Sequence, residues 1–149
     1  LAISARRDVV AVSAPRDGLP RESQGGVTIR TGAGPFETMA KPQEVVQRMV
    51  GESLSVCIDD GRRVVGVTNP DGNIVTFSDL DGRRLVKHLD LPVPRGITRT
   101  LDGRSLVLSY GQGTLALLDP ETLAPRPEPV VATSTLSGSH IFNWDERPA

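Results

Sequence analysis

This chain has little of what most active sites are built from: one cysteine and two histidines in 149 residues. A single cysteine excludes an internal disulfide framework and any metal site made of several thiolates. Cys57 lies in the apolar run Leu54-Ser55-Val56-Cys57-Ile58 and reads as a small buried hydrophobe. No stretch stays apolar for the roughly 18 residues a membrane helix needs, so no membrane span is expected. Charge of one sign is missing too. With 17 basic and 18 acidic residues interspersed and a net charge of −1, the chain lacks the basic stripe of a nucleic-acid or anionic-membrane surface. The pairs Arg6-Arg7, Arg62-Arg63 and Arg83-Arg84 stand beside Asp8, Asp59-Asp60 and Asp81, and read as solvated turn charges.

What the chain does have is a repeat. Leu54-Ser55-Val56-Cys57-Ile58, Asp60-Gly61-Arg62-Arg63, Val64-Val65-Gly66-Val67-Thr68 and Gly72-Asn73-Ile74-Val75-Thr76-Phe77-Ser78-Asp79 form one segment. It is answered about 42 residues later by residues 97–101, Asp102-Gly103-Arg104-Ser105, Leu106-Val107-Leu108-Ser109 and Gly113-Thr114-Leu115-Ala116-Leu117-Leu118-Asp119. A unit of that length made of four short strands is the mark of a β-propeller blade. The expected fold is all-β, a propeller with WD40-like or YVTN-like blades. The chain supplies about three and a half of them, against about seven expected in the complete ring. An arc of that size leaves sheet faces uncovered, so the expected partner is a missing N-terminal part of the same propeller or another chain. Leu1-Ala2-Ile3-Ser4 already reads as a strand in mid-blade with no leader before it, which places any targeting segment upstream.

Strands are expected at residues 54–58, 63–68, 73–78 and 84–89 of one blade (53–90), and at 96–101, 104–110 and 113–118 of the next (95–132). Asp60-Gly61, Pro70-Asp71-Gly72 and Asp81-Gly82 supply the turns of the first of these, each with a residue tolerant of positive φ, and Asp102-Gly103 and Gly111-Gln112-Gly113 supply those of the next. Val56, Val65, Val67, Ile74, Val107, Leu115 and Leu117 are expected in or between the sheets. Residues 1–40 read as a degraded copy of the unit, interrupted by an exposed, mobile loop at 14–25. Pro42, Glu44 and Gly51 predict a short helix over 42–50 between blades. Pro125, Pro127 and Pro129 exclude a central strand and suit an outer edge, after which Val130-Val131-Ala132 is a candidate outer strand and 139–144 a final one.

Propeller ligands usually meet the rim where the loops after second strands and between blades converge. That selects Arg16, Asp17, Asn69, Asp71, Arg95, Tyr110 and Gln112 as binding candidates. Arg95 offers a guanidinium to a carboxylate or phosphate, or else pairs with an acid of a neighbouring blade. His140 and Trp144, with Asn143 and Asp145, form the densest polar and aromatic group, although one His beside one Asp is weak support for acid-base chemistry. The Asp59-Asp60 and Asp79/Asp81 carboxylates fit no calcium loop, and Gly111-Gln112-Gly113 lacks the helix a phosphate cradle needs. No catalytic residue, metal or cofactor is expected.

The divergent first blade, the helical linker, Ser53-Leu54-Ser55-Val56, Val67-Thr68-Asn69-Pro70-Asp71-Gly72-Asn73-Ile74-Val75-Thr76-Phe77-Ser78-Asp79 and Asp81-Gly82-Arg83-Arg84-Leu85 resemble the C-terminal part of an uncharacterised bacterial family of exported propeller proteins. That family is often encoded beside imelysin-type, iron-regulated lipoproteins. The resemblance spans residues 1–123 and is strongest over 53–119. It implies a periplasmic protein with partners in iron or redox handling, and the leading expectation for this chain is a non-enzymatic scaffold or binding protein. Family members often carry a Cys before the glycine that opens a late blade. Here Arg95 precedes Gly96, so a thiol-dependent role does not carry over. The alternative is a propeller hydrolase or lactonase using rim carboxylates and a channel metal, because the fold hosts both classes.

Overall fold

Among the described residues, short apolar runs punctuated by Asp, Asn, Gly and Pro fold into three successive four-stranded antiparallel sheets, each a meander whose strands pair in chain order. The computed structural model describes residues 1–15, 19–20, 23–127, 130 and 140–141. The first sheet holds β1 (Ala2–Ile3), β2 (Val9–Ser13), β3 (Gly26–Arg30) and β4 (Glu37–Thr38). The second holds β5 (Val56–Asp59), β6 (Val64–Asn69), β7 (Ile74–Asp79) and β8 (Arg84–Asp90). The third holds β9 (Ile97–Arg99), β10 (Leu106–Tyr110), β11 (Thr114–Asp119) and β12 (Ala124–Pro125). β5 lies beside both β1 and β9, so the first strand of every sheet is innermost and the sheets stand as blades around a common axis.

Gly103 carries positive φ, at 67°, but the turns of the second blade work differently from the sequence expectation. Gly61, Gly72 and Gly82 do not carry the positive φ. It falls on Arg63 (57°), Asn73 (51°) and Arg83 (50°), the last residue of each turn. Each turn opens on a side chain that accepts from its backbone amides: Asp59 from Arg62, Asn69 from Gly72 at 2.8 Å, Asp79 from Asp81 at 3.0 Å. Asp119 does the same for Glu121 and Thr122, ahead of Leu123 at φ 52°. The glycines supply room instead. A Cβ on Gly72 would stand 2.1 Å from the Arg48 carbonyl, and one on Gly82 would stand 2.6 Å from the Asp79 carboxylate.

Period-two alternation sends the two faces of the second blade to different cores. Val65, Val67 and Ile74 meet Val10, Val27 and Ile29 of the first blade, while Val75 and Phe77 meet Ile97, Leu106, Leu108 and Leu118 of the third. β6 and β7 are therefore buried on both sides. Val107, Leu115 and Leu117 alternate out of the second core and lie half-buried on the far face of the third blade. Gly66 marks the tightest approach: a Cβ there would sit 2.8 Å from Ile97 Cδ1 and 3.0 Å from Phe77 Cε1. Gly66→Ala is expected to destabilise the fold by about 1–3 kcal/mol through overpacking. It should appear as a lower urea midpoint with an unchanged slope, and an unchanged midpoint would show that the blades can separate at no cost.

The linker helix α1 is one turn, Gln43–Val46, with Pro42 as its N-cap. Val50 instead bridges Gln24, and Gly51 turns away at φ 64°. The interrupting loop is tied down at its end, where Ser23 accepts from Gly51 and Gly25 donates to Met49. The outer strand of the third blade is β12, which ends on Pro125 at the sheet edge. Residues 131–132, and all of the expected final strand except 140–141, lie outside the described residues.

Candidate functional site

The upper rim is made by the β6–β7 and β10–β11 turns and the adjoining ends of β2 and β3, together with the connections between blades. Residues 91–96, joining β8 to β9, are held from both sides by backbone. Leu91 donates to the Asn73 carbonyl and Val93 to the Asn73 side chain, while Gly111 donates to Pro92 at 2.7 Å and Arg95 to Ser109 at 2.8 Å. Thr68 Oγ1 donates to the Arg95 carbonyl at 2.8 Å, and the Gly96 amide donates to Ser109 Oγ at 2.9 Å. The pinned segment thus carries Arg95 to the end of β10, beside Tyr110 and the Gln112 turn.

The candidates divide by what their side chains are doing. Asn69 is fully buried, donating to the Glu52 carbonyl while it accepts from Gly72, so it holds the turn. Asp71 is exposed and stands against Gly51, where a Cβ would meet its carboxylate. Tyr110 is half-buried and Gln112 exposed. Arg95 is half-buried with its Nε shielded from solvent and unbonded. His140 is exposed, and the next residue brings its backbone nitrogen within 2.9 Å of where a Gly96 Cβ would stand, so His140 borders the Arg95 corner. Arg16, Asp17 and Trp144 lie outside the described residues. The structure therefore gathers Arg95, Tyr110, Gln112 and His140 at one stretch of rim.

The lower rim holds a cluster that the sequence reading missed. Arg63, expected as a solvated turn charge, is only 13% exposed and bridges blades. Its Nη2 lies 2.7 Å from Asp8 in the first blade and 2.6 Å from Asp81 in the second, with Nη1 3.3 Å from Asp60. Burial raises the Asp8 pKa, but hydrogen bonds from Ser4 and Arg63 and from the Gly32 amide, with the charge of Arg63, outweigh it and bring the carboxyl down to about 2. The hydrogen bond from Arg63 also holds Asp81 below its ordinary value. Arg62 similarly joins Asp59 at 3.1 Å to Glu121 of the third blade at 2.6 Å. Arg83 reaches back to Glu37, and Lys87 Nζ donates to the Thr122 carbonyl. Asp60, Asp81 and Glu121 are thus engaged in joining blades. Among the described residues no three His, Cys, Asp or Glu side chains are placed to hold a metal ion.

The inner strands wall a channel-side groove of about 360 Å³, with Ile3, Val56, Ile58, Thr98 and Arg99 among its lining. A family model described as "Protein of unknown function (DUF1513)" matches residues 1–145 of the chain. The chain belongs to the DUF1513 family. No curated protein sequence matches it. Among solved structures it is similar to Kuenenia stuttgartiensis hydrazine synthase, with TM-score 0.60 and 13% identity over 77% of this chain and 32% of that one. It is also similar to the Neurospora crassa Pan2 WD40 domain, with TM-score 0.50 and 15% identity over 68% and 29% of the two chains. Saccharomyces cerevisiae Sqt1 gives TM-score 0.50 and 12% identity over 78% and 33%. Likeness at this identity shows the fold, a β-propeller, and this DUF1513 chain spans about a third of the length of the solved structures it matches.

Proposed function

We propose that this chain is a non-enzymatic binding platform, a β-propeller scaffold whose upper rim around Arg95, Tyr110 and Gln112 meets a partner. One observation carries the reading. Residues 91–96 are fixed by backbone hydrogen bonds to the turns on both flanks, while the Arg95, Tyr110 and Gln112 side chains have no hydrogen-bond partner among the described residues. A rigid segment presenting uncommitted polar groups suits recognition, because little ordering is left to do on binding. A fixed guanidinium suits a carboxylate or phosphate of the partner. The family resemblance supports the finer reading: a periplasmic protein whose partner belongs to iron or redox handling. The test is binding of the full-length protein to an imelysin-type lipoprotein encoded beside it. Arg95→Glu with Gln112→Ala should weaken binding about tenfold or more with an unchanged melting temperature. Binding indifferent to both changes would sink the rim reading. A stoichiometric channel metal with hydrolysis of a lactone would favour the hydrolase.

The radial faces support a second part of the proposal, that further blades of the same polypeptide or another chain cover them. Val107, Leu115 and Leu117 lie half-buried on one open face. On the other, Ile3 is 63% exposed and Arg30 lies over Phe36 with its guanidinium carbon 4.9 Å from the ring centroid. Each large apolar side chain left in water forfeits roughly 1.5–3 kcal/mol of burial. The 149-residue chain alone is accordingly expected to sediment as an associated species at low micromolar concentration. A compact, cooperatively folding monomer would show that these faces need no cover.

A further inference from the structure

Blades diverge outward from the axis, so the space between two of them is widest at the perimeter. Between the first and second blades, α1 fills the upper part of that wedge, with Val45 and Met49 buried in the first core. β4 is only two residues long and leaves the rest of the wedge uncovered. A groove of about 640 Å³ opens there, lined by Lys41, Pro42 and Gln43 on one side and by Arg83, Arg84 and Leu85 on the other. It lies on the outer perimeter, away from the upper rim. A deeper space of about 20 Å³ adjoins it, sharing Lys41 and Leu85 and bounded by Val27, Val45, Met39 and Met49. Both methionines of the chain therefore stand at this one place.

The charges around the groove are unequal. Its lining includes three cations and no acid. Arg83 is committed to Glu37 across the wedge. Arg84 is 80% exposed and only 3.4 Å from Asp79, a loose surface pair that contributes little. Among the described residues no carboxylate pairs with Lys41. Lys41 is thus free, and Arg84 only loosely held, to meet an acid on either side of an apolar floor. The deep end holds no more than a methyl-sized group, but the unbranched Met39 side chain can shift to enlarge it.

We propose that this groove docks a short acidic segment of a partner protein that carries one large apolar side chain. The apolar side chain lies against Pro42, Leu85 and Met39, and flanking carboxylates meet Lys41 and Arg84. Charge complementarity selects this occupant: the floor requires an apolar anchor, and Lys41 with the loosely paired Arg84 requires negative charge beside it.

The test uses the full-length protein and a labelled synthetic peptide with one phenylalanine between glutamates, followed by fluorescence anisotropy. Binding should weaken about tenfold or more in the double variant Lys41→Glu/Arg84→Glu, and as salt rises from about 0.05 to 0.3 M. It should weaken similarly when serine replaces the phenylalanine. Arg104→Glu, on an exposed residue of the third blade, should leave binding unchanged. Both reversed residues are on the surface, so matched melting curves will show that the fold survives. The proposal is overturned if the double variant binds as well as the parent, or if the serine peptide binds equally. Loss of binding to phosphatidylglycerol vesicles, with no peptide bound by the parent, would assign the groove to a membrane. Loss of self-association in the double variant, again with no peptide bound, would assign it to a second copy.

Discussion

Replacing Arg63 with alanine is expected to lower the unfolding free energy by about 3 kcal/mol, the usual cost of removing one partner from a buried ion pair. Among the described residues the guanidinium alone joins Asp8 of the first blade to Asp60 and Asp81 of the second. Without it the Asp8 carboxylate, buried to within a few percent, keeps Ser4 and the Gly32 amide as its hydrogen-bond donors among the described residues. Those two bonds hold the loss at the lower end of the range. Arg63→Lys should retain part of the stability, because an ammonium brings the charge but cannot span Asp8 and Asp81 with one planar fork. Urea titration at neutral pH checks the order: parent most stable, then lysine, then alanine. Equal midpoints would mean that the cluster only decorates the turn.

The same cluster sets an acid limit. Asp8 has its folded pKa depressed from 3.8 to about 2. Its contribution, about 2 kcal/mol, is therefore fully present above the unfolded value and disappears as pH falls through the folded one. Asp81, also depressed through its hydrogen bond from Arg63, adds to the trend in the same direction. The parent should lose stability between about pH 4 and 2. In Arg63→Ala that acid slope should be shallower, since much of what lowers both carboxyls has gone.

Phe77→Ala is expected to cost about 3–5 kcal/mol, as for other fully buried aromatic side chains. Phe77 is 0% exposed and is the largest side chain in the core between the second and third blades. Its ring packs at the Gly66 position opposite Ile97, where the two blades come closest. Truncation leaves a cavity that β6 and β7 cannot collapse into, because Val65, Val67 and Ile74 tie their other face to the first blade. Hydrogen exchange should show β10 amides losing protection while β2 and β3 keep theirs. Uniform loss over all three blades would mean that the arc unfolds as one unit.

Much of this architecture was legible along the chain. The Asp-Gly and Pro-Asp-Gly turns and the alternation over residues 54–119 mark two meanders because hairpin chemistry acts between near neighbours, and Pro125 marks an edge because it has no N–H to give. The rim candidates Asn69, Arg95, Tyr110 and Gln112 could be named from loop position alone, but whether each was spent or spare could not. Asn69 is spent on Glu52, and Arg95 is left without a side-chain partner among the described residues.

What tertiary structure alone decided involves contacts across blades. Arg63 meets Asp8 over a separation of 55 residues, and no local pattern distinguishes it from the more exposed Arg62 beside it. The helix expected over 42–50 stops at Val46 because the following residues are taken by Gln24 and by the loop that ends at Gly25. The need for a glycine at position 66 comes from Ile97 and Phe77, which close on it from a neighbouring blade and a neighbouring strand. Sequence determined the strands and turns because their causes are local, whereas the direction each blade faces, and therefore which charges are buried and which groove stays open, follows from how the blades pack.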